Sequence, residues 1–236
     1  MKKILKLAST DFKLIFRDPS LRIFLFFPII LIIIIIWVLP SLVGKYDFLM
    51  PYLPVFVIVA AIENTQMFSF ISSMVLIDEK ESDVAKVYSV VPLTKIQYMI
   101  SRFLIPYLFT VILNIILFLV QPFYIISLGN NLVISFLTAL IVPLYVLSIN
   151  AIVKNRMQGM VYIKAFNMIV LIPIIAFFVP EKIKHFFGVF PTHWIFQSID
   201  NVTNQLSIIN LSAIGFLFIG ILIWIASKQF FQKHFL

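Results

Sequence analysis

Stretches of about twenty apolar residues, the length that carries an α-helix across a ~30 Å hydrocarbon layer, recur along this chain. Six can be read: Leu21–Val43, Tyr52–Ile77, Met99–Ser127, Leu132–Val153, Gly159–Val179 and Ile208–Phe230. A lipid environment leaves no water to satisfy backbone N–H and C=O groups, so such runs must form helices that bond internally. Composition agrees: 62% of the 236 residues are hydrophobic and only 12% are charged. The expected fold is therefore all-α, a polytopic membrane protein forming a single transmembrane domain over residues 1–236. The first run is Ile-rich, lacks a small-residue cleavage pattern and is followed by further spans, so it reads as a retained span rather than a signal peptide.

An even number of spans places both termini on one side. Fifteen of the eighteen Lys and Arg then fall on that side, and only Lys45, Lys182 and Lys184 on the other. By the positive-inside rule the termini are expected in the cytoplasm of a multi-pass protein of the cell membrane. The same rule absorbs the formal charge of +8, which in a soluble protein would suggest nucleic acid, so no nucleic-acid partner is expected. The chain has no Cys. Prolines punctuate the spans at Pro28, Pro106, Pro122, Pro143 and Pro173, each removing a backbone donor.

Residues 1–20 read as an amphipathic interfacial helix. Lys3, Lys6, Thr10, Lys13 and Arg17 fall on one stripe, with Ile4, Leu5, Ala8, Phe12, Ile15 and Phe16 opposite, an arrangement suited to the headgroup region of the membrane lipid. The loop over residues 78–97 opens with Asp78-Glu79-Lys80-Glu81, read as the acidic start of a short helix. Within it Val84, Val87, Tyr88 and Val91 recur at helical spacing, an apolar ridge that either folds back on the membrane or receives a partner protein.

Inside the bilayer one carboxylate, Glu63, stands near the middle of the second run, on one side of the helix with Gln66, Ser69 and Ser73. A charge at that depth costs at least ~2.5 kcal/mol and needs protein or a wet cavity beside it. This stripe lines a pathway or a subunit interface, or else it hydrogen-bonds to Asn114, Gln121, Asn150 or Asn167. Catalytic sets are missing: no GxxxxGK[ST], HExxH or GxSxG occurs, so no catalytic residue and no metal ligand is assigned. His193-Trp194 reads as an interfacial anchor.

Three stretches carry a resemblance. Asp11-Phe12-Lys13-Leu14-Ile15-Phe16-Arg17-Asp18-Pro19 before a span is similar to the amino-terminal signature of type-2 ATP-binding-cassette permeases. So are Glu79-Lys80-Glu81 with Val90-Val91-Pro92-Leu93-Thr94, and Tyr98-Met99-Ile100-Ser101-Arg102 with its aromatic-x-x-x-Arg spacing. The second stretch looks most like that of drug export permeases of the fluoroquinolone type. The resemblance implies a cytoplasmic coupling helix between spans two and three, docked on a separate ATPase subunit. Glu79, Glu81, Val84, Val87, Tyr88 and Val91 would carry that contact, the two acids near its rim. It implies a second permease copy or homologue, and no cofactor in this chain because ATP and magnesium belong to the ATPase. It also implies a partly re-entrant outer segment before the last span, over residues 180–207. The chain departs from the family at Ser82-Asp83-Val84, where many members carry Gly after the acidic pair. The alternative function is a proton-coupled secondary transporter titrating Glu63. The cargo suggested by walls of Phe, Ile and Leu is hydrophobic or amphipathic: a drug, a lipid or a peptide.

Overall fold

The computed structural model describes residues 19–82 and 94–234. Among them there is no strand, and six helical stretches are long and apolar enough to cross a membrane: Leu21–Val43, Asp47–Glu81, Ile96–Val120, Leu128–Ile152, Arg156–Phe177 and Ile209–Gln232. The expected six-span architecture is thus what the chain adopts. The expected interfacial helix falls almost wholly outside the described residues, as does the ridge Val84, Val87, Tyr88 and Val91.

Span one is assembled from short pieces, α1 (Pro19–Phe24), α2 (Phe27–Ile33), a π-helical turn over Ile34–Val38 and α3 (Leu39–Val43). Pro28 causes the first break, because it sits at the start of α2 where its missing N–H costs nothing. Span two is a 3-10 turn, Asp47–Tyr52, followed by the long helix α4 (Leu53–Glu81). Here the structure corrects the sequence reading. Asp78-Glu79-Lys80-Glu81 closes the last turn of α4 instead of opening a new helix in the loop, so its acids lie at the helix end the macrodipole disfavours.

Span three, α5 (Lys95–Val120), starts at a capping box: the Thr94 hydroxyl accepts the Gln97 N–H at 3.2 Å while the Gln97 side chain accepts the Thr94 N–H at 3.1 Å. It ends seven residues short of the expected Ser127, because Pro122 forces Gln121 into extended backbone. The Gln121 side chain then takes the N–H groups of Phe123 and Tyr124, both at 2.9 Å. Span four is broken at Leu140 into α6 (Leu128–Ala139) and α7 (Ile141–Ile152), and Pro143 explains the break, since its ring would clash with the carbonyl of Ala139. Span five is α8 (Arg156–Leu171), which tightens into a 3-10 turn over Ile172–Phe177 with Pro173 in its first turn. Between spans five and six lie α9 (Glu181–Lys184), a 3-10 turn over His185–Val189, and α10 (Pro191–Thr203); span six is α11 (Ile209–His234).

Span four is the centre of the bundle, with α4 on one side and α11 on the other. Its α7 segment buries Ile141, Val142, Tyr145, Val146, Leu147 and Ile149. The segment before span six divides by face. Ile195, Phe196 and Ile199 of α10 are fully buried, whereas Phe186 and Val189 are more than three-quarters exposed. His193 is buried against Trp194, and Trp194 donates its indole N–H to the Gly188 carbonyl at 3.1 Å. Gly215 of α11 lets α10 come close, since a Cβ there would stand 3.1 Å from the Trp194 Cβ and 3.2 Å from Leu137.

Candidate functional site

The charged end of span two forms a junction at the foot of the loop that joins spans two and three. Its four consecutive side chains reach three other spans. Asp78 meets Arg156 at 3.4 Å, at the start of span five. Glu79 pairs with Arg102 of span three at 2.9 Å, the two side chains only 7% and 2% exposed. Lys80 donates to the carbonyls of Val153 at 2.8 Å and Asn150 at 3.4 Å, at the end of α7. Glu81 accepts the backbone N–H of Arg156 at 3.1 Å.

Each contact has a physical reason. The last carbonyls of a helix and its first N–H groups lack intrahelical partners, and the macrodipole makes them attract a cation and an anion respectively. Lys80 serves the open end of α7, and Glu81 the open start of α8, where Asn155 also caps by accepting the Gln158 N–H at 2.9 Å. One turn of span two thereby splices the end of span four to the start of span five. The aromatic-x-x-x-Arg spacing becomes intelligible here: four residues apart on one helix face, Tyr98 places its ring 5.0 Å from the Arg102 guanidinium. Arg102 is buried two turns into span three, where a charge persists only if paired, and Glu79 supplies the pair. Close packing continues above the junction, since a Cβ on Gly159 would lie 2.6 Å from the Ile77 Cδ1.

The expectation that Glu79 stands near a partner's rim does not match this geometry. Glu79 is 6% exposed and turned into the bundle, whereas Glu81 is exposed. The sequence reading also passed over Lys80, Arg102 and Arg156 as site residues. A signal for them existed in the run of four charges facing an Arg set well inside an apolar span.

Higher in span two, Gln66, Ser69 and Ser73 are wholly buried and Glu63 is half-buried. The Ser69 hydroxyl turns back to the Thr65 carbonyl at 2.8 Å. Neither the Gln66 amide nor the Ser73 hydroxyl has a hydrogen-bond partner in the described structure. The asparagines that could have taken this stripe are engaged elsewhere. Asn114 accepts from Asn64 at 2.6 Å and donates to Thr65 at 3.2 Å, joining spans two and three. Asn150 donates to the Val146 carbonyl, and Asn167 accepts from the Tyr145 hydroxyl. Gln121 is used locally in the turn after span three. Among the described residues no cluster of His, Asp or Glu is arranged to hold a metal ion.

The sequence model of the family described as "Fluoroquinolones export permease protein Rv2686c-like" matches residues 11–227. No curated protein matches the chain.

Proposed function

The chain belongs to this family of export permeases, and from that premise we propose that it is the membrane-spanning subunit of an ATP-binding-cassette exporter. It moves a hydrophobic or amphipathic cargo outward, pairs with a second permease copy or homologue, and draws its energy from ATP hydrolysed with magnesium by separate ATPase subunits. Both termini and the loop after Glu81 lie in the cytoplasm.

One observation carries the coupling part of this reading: the loop hangs from a helix end that grips spans three, four and five at once. A push on the ridge Val84, Val87, Tyr88 and Val91 has a short, charged path into those spans. Two packings of one junction with different contacts are what alternating exposure requires. Glu81 faces the partner at the rim, and Glu79 acts from inside by fixing the foot of the loop on Arg102. The pathway part rests on Gln66 and Ser73, because a buried polar group without a protein partner costs about 1–3 kcal/mol and is tolerated where water or cargo can meet it.

Copurification with the ATPase and cargo-stimulated ATP hydrolysis in nanodiscs test the proposal. Tyr88→Ala combined with Val87→Ser removes the largest anchor of a small contact, where few residues dominate the affinity. The double variant should insert normally and lose ATPase association or cargo stimulation. Wild-type values for both would remove the ridge from the coupling role.

A further inference from the structure

Away from the stripe of span two, spans five and six both pack on span four but make no extended contact with each other. The wedge between them is a cavity of about 260 Å³. Its back is α7, with Tyr145 and Ser148; its sides are α8, with Phe166, and α11, with Ala226 and Gln229; its roof is the start of α10, where Thr192 is held by donating to the Val170 carbonyl at 2.7 Å. At its rim Ile169 and Ile225 are 42% and 41% exposed, so the mouth lies between the two spans. Ile169 is thirteen residues from Arg156 and Ile225 nine from His234, roughly 20 and 14 Å along their helices at 1.5 Å per residue. A hydrocarbon layer of ~30 Å would enclose both depths, so a mouth between the two spans would face lipid there.

We propose that this cavity is a lateral binding site for an uncharged, mostly apolar small molecule that carries hydrogen-bonding groups and arrives dissolved in the bilayer. The word cargo for that molecule rests on the export reading above; the site itself does not. Three properties select the ligand class. No Asp, Glu, Lys, Arg or His lines the cavity, so a charged group seated there would lose its hydration without a counter-ion. The wall is largely apolar yet carries the hydroxyl of Ser148 and the amide of Gln229, with the hydroxyls of Tyr145 and Thr192, which already donate to Asn167 and Val170, left as acceptors, a mixture that orients small ligands. An acyl chain would use none of these four groups. The volume lies just under the ~300–1,000 Å³ typical of small-molecule pockets, which suits a compact ligand or one part of a larger ligand.

The test uses the full-length permease alone in nanodiscs, with Nile red as an uncharged amphipathic probe and empty nanodiscs as the partition control. The wild type should show a saturable component of one dye per chain. Ala226→Phe, which fills the cavity from span six, should weaken it at least tenfold, and Leu217→Phe on the lipid-facing side of the same helix should leave it unchanged. Should Ala226→Phe fail to insert, Ser148→Leu intrudes from span four and carries the same expectation. A wild-type signal equal to that of empty discs overturns the proposal, as does undiminished binding in the inserted variants. A stoichiometric phospholipid, seen by native mass spectrometry and lost in Ala226→Phe while dye binding stays constant, overturns it in favour of a lipid site. No ATPase is present in this assay, so its failure and failure of the coupling proposal are separate results.

Discussion

Glu79 of span two and Arg102 of span three meet at 2.9 Å with both side chains almost wholly withdrawn from solvent. Removing one partner from such a pair strands a buried charge, at a cost of about 3–5 kcal/mol. Arg102→Leu and Glu79→Leu should each lower the unfolding midpoint of the detergent-solubilised protein strongly, and Glu79→Leu with Arg102→Leu together should cost less than the two single changes summed. Additive losses would show that the two residues act separately.

Glu63→Gln keeps hydrogen-bonding shape and removes the charge. If the stripe Glu63, Gln66, Ser69 and Ser73 lines the pathway, the rate or range of transport changes while expression and thermal stability stay close to wild type. Unaltered transport of every tested cargo would reduce Glu63 to packing. Gradient-driven transport by the permease alone in liposomes, abolished by the same substitution, would instead favour a proton-coupled carrier.

Gly215 is where α11 and α10 touch. Gly215→Leu forces Trp194 and Leu137 apart, with an expected cost of about 1–3 kcal/mol for overpacking. Gly220→Leu, on the same helix at a position where a Cβ meets nothing within 4 Å, is the matched control and should be nearly neutral. Equal melting shifts for the two would contradict this packing.

His193 lies in α10, outside the six spans. Burial, helped by the nearby charges of Lys184 and His185, lowers its pKa to about 4 from an ordinary value near 6.5. The unfolded chain then binds the proton more readily, so the stability contributed by neutral His193 is present above about pH 6.5 and declines as pH falls toward 4. Asp200 shifts the opposite way, upward through burial, although Lys184 and Asn204 oppose that shift. A melting series from pH 7 to 4 should therefore flatten in His193→Gln. An unchanged slope would remove His193 from the acid response.

The orientation is tested by single cysteines, for which the chain has no native background. Replacements of Lys45 or Lys182 should react with an impermeant thiol reagent from outside intact cells, and a replacement of Lys154 should not. Equal labelling of all three from one side would break the topology and the cytoplasmic placement of the coupling loop.

The six spans were legible because they follow from local rules, but which prolines would break them was not: Pro106 stands inside the unbroken α5, whereas Pro122 ends that helix seven residues before the expected Ser127. Apolar length sets a crossing helix, while Pro28, Pro122, Pro143 and Pro173 stand where a helix breaks or tightens. The structure adds caps that the sequence analysis did not name, at Thr94, Ser127 and Asn155. Long-range pairing was not legible. The run Asp78-Glu79-Lys80-Glu81 looked like a helix start by the dipole rule, yet it ends a helix, because contacts with Arg156, Arg102, the α7 carbonyls and the α8 amide outweigh a dipole term of about 0.3–1 kcal/mol. Which asparagine meets which helix, and the cavity left where spans five and six lean apart on span four, likewise depend on how whole helices cross. A one-dimensional pattern specifies each helix's faces; only packing decides which of them meet.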